Sequence, residues 1–504
     1  MSDIQPIRKV LIANRGEIAV RIIRSCREKN VLTVAVFSDA DRTALHVRMA
    51  DEAYHIGPSP SAESYLLADR ILDVAISSGA DAVHPGYGFL SENSSFAKAC
   101  EEAGIRFIGP TPSAIEAMGD KTAARALMEE AGVPMAPGTV DAISQDDDTL
   151  SIAEEIGYPV LIKAAAGGGG KGMRIVRKSE DFTSSLEVAS REAHSAFGDG
   201  RVFIEKYIDQ PRHIEFQIIA DTHGNIVHLF ERECSIQRRH QKVIEEAPSS
   251  VLTPELRKTM GGAAIRAASS CGYVGAGTVE FLLDQDMQFY FMEMNTRLQV
   301  EHPVTESITG IDLVALQLSI AEGHELPFSQ EDLSMGGHSI ECRIYAEDPS
   351  NNFMPGPGTL LKHDPPAGFG VRVDSGVEEG SEISLFYDPM ISKLTVWGPN
   401  RSEAILRMSR ALDEYGIAGV PTTIPFCSFV MDHEAFRTGN FSTHFVENHF
   451  SSDSLQSRDD EEDRIIGIAA ALYADGHQRK TSEVAAATSN GGFSPWRRNR
   501  KELE

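Results

Sequence analysis

Residues Gly277 to Glu306 read GTVEFLLDQDMQFYFMEMNTRLQVEHPVTE, and they limit the possible folds more than any other stretch. Two apolar runs are joined by an Asp-rich turn, the pattern of an antiparallel hairpin. Glu280 lies in the first run and Glu293 in the second. A hairpin of that length sets the two carboxylates side by side, with Asn295 two residues on and facing the same way. Acids flanked by Phe, Leu and Met are costly to bury unless they are paired or bind a metal. Hard oxygen donors in that arrangement suit Mg2+ held jointly with nucleotide phosphates. The plainer alternative, a surface hairpin with exposed acids, sits poorly with FYFMEM. Arg297 and Glu301 follow directly, a fork-shaped oxyanion binder and a candidate general base.

Two other stretches point toward anions. In ERECSIQRRHQKVIEEAP, Glu231 to Pro248, the residues Arg238, Arg239, His240 and Lys242 crowd together in a chain of net charge −27. Strand-like alternation predicts Arg238, His240 and Lys242 on one face, as an anion site rather than a solvated turn. GGGGKG, Gly167 to Gly172, lies between the strand-like runs PVLIKAA and MRIVR. It fails as a Walker A loop, because Gly172 stands where Ser or Thr is required. Flanking strands make it the tip of a hairpin lid whose N–H groups are free to meet phosphates, with Lys163 on the strand before it. A flexible turn without function is the competing reading.

The beginning of the chain alternates strand and helix: Lys9 to Ala13, Gly16 to Arg27, Leu32 to Phe37, Ala80 to His84 and Phe96 to Ala103. This predicts a parallel sheet with helices on both faces. ANRGEIA, at the first strand–helix turn, lacks G-x-G-x-x-G, so the shape is Rossmann-like without the dinucleotide fingerprint. At 504 residues, roughly two to four sub-domains are expected. The strongly acidic balance disfavours nucleic acid as a partner. No apolar run reaches the ~20 residues that span a bilayer, and no signal peptide is recognisable, so a cytoplasmic location is expected. Six scattered cysteines without a C-x-x-C pair read as reduced thiols.

HPGYGFLSEN, MGDK, IKAAAGGGGKGMRIV, PRHIEFQ, CSIQRRHQKVIEEAP, EMNTRLQVEHPVTE and ECRIYAEDP follow one another in the order and spacing of biotin carboxylase. The chain resembles that family over about residues 6 to 445. The resemblance implies an α/β and α+β multidomain fold. A Rossmann-like N-terminal domain would occupy residues 1–120, and an ATP-grasp domain residues 121–335, with a mobile lid at about 138–208. A C-terminal biotin carboxylase domain would occupy 336–450, leaving 451–504 as acidic linker, helix and loose tail. The implied reaction is MgATP-dependent activation of bicarbonate to carboxyphosphate, followed by carboxylation of biotin N1′.

Carried over position by position, Lys121, Lys163, Gly167, Gly168, Gly169, Gly170, Glu205, His213, Gln237, His240 and Glu280 would contact ATP. Glu280, Glu293 and Asn295 would form the Mg2+ (or Mn2+) site. Lys242, Arg297, Gln299, the Val300 main chain and Glu301 would hold bicarbonate, with Glu301 as base. Tyr87 and Arg343 would meet biotin, Arg343 stabilising its enolate oxygen. Cys234 sits beside the basic cluster, but no step needs a thiol. No lysine has the Met-Lys-Met surroundings of a biotinylation site, so biotin is expected on a separate carrier protein or domain. The resemblance also implies a homodimer and a separate carboxyltransferase subunit, with the tail as a candidate docking segment. The competing functions are a carbamoyl-phosphate synthetase half, which would carry a second ATP-grasp copy, and a silent nucleotide-binding scaffold, which need not keep these charged residues.

Overall fold

The structure, a computed structural model, describes residues 4–139, 143, 148–164 and 173–455. The GGGGKG run and the tail beyond residue 455 lie outside the described residues, as does the side chain of Lys121. Residues up to Ser451 form one compact unit.

Its first layer is the expected parallel sheet. Strands β1 (Lys9–Ile12), β2 (Leu32–Ser38), β3 (Glu52–Gly57), β4 (Ala82–His84) and β5 (Arg106–Phe107) lie in the order β3-β2-β1-β4-β5. All four pairings are parallel. Helix α1 (Gly16–Glu28) turns Ile18, Ala19, Ile22 and Ile23 into the core beside Val10 and Ile12, as its 3.6-residue spacing predicts. The β1–α1 turn serves the neighbouring loop instead of a dinucleotide. Asn14 Nδ2 donates to the carbonyls of Pro85 at 2.7 Å and Tyr87 at 2.8 Å, which fixes the HPGYGFLSEN segment.

A small antiparallel sheet follows, built from β6 (Val160–Ala164), β7 (Arg174–Val176) and β8 (Val202–Lys206) in the order β7-β6-β8. Val160 pairs with Val176, so the strands flanking the glycine run do form a hairpin. Val160, Ile162, Val176, Phe182 and Ile204 give this sheet its own core.

The third layer is an eight-stranded sheet. Its strands are β9 (Arg212–Ala220), β10 (Ile226–Arg238), β11 (Gln241–Ala247), β12 (Gly275–Leu283), β13 (Phe289–Asn295), β14 (His338–Tyr345), β15 (Val371–Ser375) and β16 (Met390–Gly398). The order is β13-β12-β9-β10-β11-β14-β16-β15, with every neighbouring pair antiparallel. Period-two alternation gives the sheet two unlike faces. Ile214, Phe216 and Ile218 of β9 pack against Met260, Ala263 and Ala267 of helix α2 (Pro254–Ser270). His213, Glu215 and Gln217 alternate with them and so face the other way. On β14, Ile340, Cys342 and Ile344 pack against Ala404 and Met408 of the helix Arg401–Glu414, which leaves Glu341 and Arg343 on the opposite face.

Two hairpin turns matter for function. Between β12 and β13, Asp284 Oδ1 accepts from the backbone N–H of Asp286 at 2.9 Å and of Gln288 at 2.8 Å. An Asp side chain closing the loop on its own backbone is why DQDMQ turns here. Between β10 and β11, Arg239 and His240 both take positive φ, +50° and +66°. That two-residue turn overrides the alternation expected from sequence. Arg238 pairs with Gln241 and Gln237 with Lys242, so Arg238, His240 and Lys242 do not share a face. Arg238 leaves the site to pair with Glu347 at 2.5 Å, and His240 stands exposed at the tip.

Candidate active site

The hairpin register sets Glu280 opposite Glu293 and Thr278 opposite Asn295. Four donors converge on Glu280. Lys242 Nζ reaches Oε1 at 2.8 Å, Asn295 Nδ2 at 2.8 Å and Gln299 Nε2 at 3.1 Å, while His213 Nε2 faces Oε2 at 3.0 Å. These cations outweigh burial and hold the Glu280 carboxyl well below its usual range. His213 is pushed up to about 9, because Glu280 and Glu215 more than offset its burial and the repulsion from Lys242. Gln237 Nε2 lies 2.9 Å from His213 Nδ1, so these two expected residues also meet.

Lys242 is the hub. Besides Glu280 it contacts Glu215 Oε2 at 2.5 Å and Glu301 Oε1 at 2.7 Å. Glu301, fully buried at the start of helix α3 (His302–Thr309), shares its other oxygen with Arg343 Nη2 at 3.0 Å. Burial alone would raise the Glu301 pKa, but Lys242, Arg343 and Arg232 prevail over it and over Glu215, and keep the carboxyl ionised below the usual range. Arg343 is held in turn by Glu245, 2.6 Å from its Nε. Glu245 is raised to about 7 by burial and by Glu301, against the pull of Arg343 and Lys242.

Arg297 lies beside this hub, donating to Asn295 Oδ1 at 3.1 Å, Gln299 Oε1 at 3.0 Å and Glu92 Oε2 at 2.9 Å. The Val300 carbonyl accepts from Lys393 at 2.8 Å. Tyr87 donates its hydroxyl to Glu17. Lys163 and Glu205 form an ion pair with each other at the root of the small sheet, where Arg125 approaches Glu205 at 3.5 Å. Cys234 is buried with its Sγ 4.0 Å from Glu301, and burial with nearby carboxylates pushes the thiol far up, which suits packing and not nucleophilic attack. All six cysteines are free.

Glu280 and Glu293, paired across the hairpin, are the carboxylates that suit a hard divalent cation. The tighter cluster of His213, Glu215 and Glu280, whose ligand atoms lie within 4.8 Å of one another, is already engaged by Lys242 and by a histidine held in its charged form. Glu293 is open to solvent at the rim, yet its pKa is raised by desolvation against the protein and then by the Glu280 charge. A cation between the two carboxylates would relieve that repulsion.

Several members of the network are not singled out by the sequence. Arg232 has no exposed side-chain surface and donates to Glu215 at 2.5 Å, Gln217 at 2.7 Å, Thr305 at 2.9 Å and Thr278 at 3.1 Å. Glu215, Glu245, Glu92, Glu17 and Lys393 belong to the same connected set. For Glu215, Arg232, Glu245 and Lys393 the signal is a charged residue within an apolar strand, as in HIEFQ and MISKLTV, whereas Glu17 sits on helix α1 and Glu92 in a turn, where no such pattern marks them.

Family models described as the biotin carboxylase N-terminal domain, the carbamoyl-phosphate synthase L chain ATP-binding domain and the biotin carboxylase C-terminal domain match residues 6–115, 120–329 and 341–448. Biotin carboxylase 1 of Bacillus subtilis is 54% identical over 444 residues, covering 88% of this chain and 99% of that one. A pyruvate carboxylase subunit of Methanothermobacter thermautotrophicus is 57% identical over 441 residues, covering 88% and 90%. The biotin carboxylase domain dimer of Hydrogenobacter thermophilus 2-oxoglutarate carboxylase, solved with MgADP, ADP and bicarbonate, superposes with a TM-score of 0.85. It is 50% identical and covers 90% of this chain and 100% of its own. With three family segments in sequence and half or more of the aligned residues identical to these proteins, the chain belongs to the biotin carboxylases, ATP-grasp ligases that use ATP to carboxylate biotin.

Proposed function

We propose that Glu301 is the base that starts the reaction and that Lys242 and Arg343 divide its two sides between them. The observation carrying this reading is the shared carboxylate, one oxygen on Lys242 and the other on Arg343. Bicarbonate is a poor nucleophile that must approach a polyanion, so positioning and charge compensation do most of the work. Glu301, ionised and buried, takes the proton of bicarbonate. The freed oxygen attacks the γ-phosphorus of ATP, the bond to the bridging oxygen breaks, and ADP leaves. Carboxyphosphate then separates into CO2 and phosphate. Biotin N1′ takes up the CO2 and gives its proton to the phosphate.

Lys242 compensates the phosphate and bicarbonate charge, while Arg297 and Gln299 orient bicarbonate against Glu301. His213, Gln237 and His240 line the nucleotide side, and Lys163 is freed from Glu205 when phosphates compete for it. Lys121 and Gly167 to Gly170 complete the ATP contacts by resemblance. Glu280 and Glu293 would hold Mg2+, with Asn295 steadying Glu280; the ion supplies charge neutralisation at the phosphates when bound. Tyr87 and Arg343 would receive the ureido ring.

Biotin would arrive on a separate carrier protein or domain, and a carboxyltransferase subunit would pass the carboxyl group on. A homodimer is supported by the dimeric Hydrogenobacter relative. Relatives at 50–57% identity are named for pyruvate and for 2-oxoglutarate, so the acceptor would be chosen outside this common half-reaction. A cytoplasmic location goes with this reading, and among the described residues no single helix is long and apolar enough to cross a membrane. The test is ADP release measured with and without bicarbonate and free biotin. Release that needs bicarbonate and rises with biotin is expected. Release indifferent to biotin but coupled to ammonia would favour the carbamoyl-phosphate reaction, and no release would leave a silent scaffold.

A further inference from the structure

Lys393, in the middle of β16, has no exposed side-chain surface. Its ammonium donates to the Val300 carbonyl at 2.8 Å and lies 3.2 Å from Glu17 Oε1 on α1. Glu17 also accepts the Tyr87 hydroxyl. In the sheet, Lys393 stands directly across from Arg343 on one side and Asp374 on the other. One buried cation therefore touches all three family segments: Glu17 within 6–115, Val300 within 120–329, and its own strand within 341–448.

Stability alone is a poor reason for this pair. Taking an ammonium and a carboxylate out of water costs several kcal/mol per ion, and apolar residues of similar volume often serve a core equally well. A charged hydrogen bond, by contrast, fixes a carbonyl in direction as well as distance. Val300 immediately precedes Glu301, and Glu17 restrains the one phenol assigned to the biotin side.

We propose that Lys393 is a positioning residue for biotin carboxylation: through Val300 it sets the main chain that carries Glu301, and through Glu17 it sets Tyr87. The base and the biotin-side ring are thereby held at one spacing. This rests on the roles of Glu301 and Tyr87 given under Proposed function.

Lys393→Met alone strands Glu17 in the interior and should lower Tm, so the informative protein is the full chain carrying Glu17→Gln with Lys393→Met, which removes both charges. Its expected signature is a Tm within a few degrees of wild type, an ATP KM within about twofold, and biotin-stimulated kcat reduced about tenfold or more. The ratio of biotin-stimulated to bicarbonate-only ADP release should also fall. Lys393→Arg, which keeps a donor, should retain more of that ratio than the double variant. A double variant with wild-type Tm and wild-type biotin-stimulated kcat overturns the proposal. Glu301→Gln, assayed in parallel, keeps the two readings apart: activity in that variant removes the base assignment whatever Lys393 does.

Discussion

Glu301→Gln separates catalysis from folding, because the structure predicts a large loss in one and a small loss in the other. Removing a positioned base typically costs about 10²–10⁴ in rate, or roughly 3–5 kcal/mol of barrier. Breaking a buried ion pair usually costs a comparable ~3–5 kcal/mol of stability, since a charge is left uncompensated. Here neither cation is abandoned. Lys242 keeps Glu215 at 2.5 Å and Glu280 at 2.8 Å, and Arg343 keeps Glu245 at 2.6 Å. The remaining penalty is one carboxamide end, whose N–H faces a cation where an acceptor was, worth about 1–2 kcal/mol. Bicarbonate-dependent ADP release should therefore fall at least a hundredfold while Tm drops only a few degrees and ATP affinity, read by equilibrium titration, changes little. Near-wild-type turnover would falsify the base assignment. A collapse of Tm in step with the rate would show that the Lys242–Glu301–Arg343 bridge is mainly structural.

Arg343→Ala should depress biotin-stimulated turnover about tenfold more than bicarbonate-dependent ATP cleavage; equal losses in the two assays would assign Arg343 to the earlier step through its contact with Glu301. Glu280→Gln should raise the Mg2+ concentration needed for half-maximal ADP release by about an order of magnitude, and an unchanged Mg2+ titration would remove Glu280 from the metal site. Glu246, whose carboxylate meets His338 and Arg401 at 2.7 Å each, is held at about 2 against the ordinary 4.5 because these partners outweigh its burial. A lowered carboxyl contributes stability above its unfolded pKa and loses it as pH falls through the folded one, so about 3 kcal/mol should disappear between pH 4.5 and 2. Glu246→Gln should flatten that part of the acid-unfolding curve, and an unaltered curve would show that the carboxyl is not held down in this way. Phe281→Ala, on β12 of the Glu280–Glu293 hairpin and edge-on to Phe216, Phe289 and Phe291, should cost about 3–5 kcal/mol in denaturant unfolding, and a loss under 1 kcal/mol would mean the hairpin is not anchored by this cluster.

The β12–β13 hairpin is readable in the sequence because two independent signals agree: one acid in each apolar run, and an Asp whose side chain closes the turn between them. The strands beside the glycine run are readable for a similar reason, as compact apolar runs flanking an obligate turn. The basic cluster misleads in its geometry. Arg239 and His240 carry no Gly or Asn signal for left-handed backbone, so a period-two pattern extends on paper through a place where the chain reverses. Glu215, Arg232 and Lys393 escape for another reason. A lone charge in a strand looks the same whether it meets water or a buried partner, and the partners here come from strands and helices far apart in sequence. Only the fold shows that Lys393, 93 residues beyond Val300, is its donor.

The eight-stranded sheet runs unbroken across the junction between the ATP-binding and C-terminal segments, because β11 pairs with β14 through Ile244–Cys342 and Ala247–Ser339. Two regions that family comparison treats as separate modules are, in hydrogen bonds, one ladder. A cut near residue 335 would leave β11 and β14 as bare edges, each an invitation to pair with another chain. Exchanging C-terminal segments between relatives is thus an exercise in matching two strand edges and the buried charges behind them. Chimeras are better spliced at the borders of the β1–β5 or β6–β8 layers, whose described strands join no strand of the eight-stranded sheet, β8 adding only single bridges to Gly138 and Ile143.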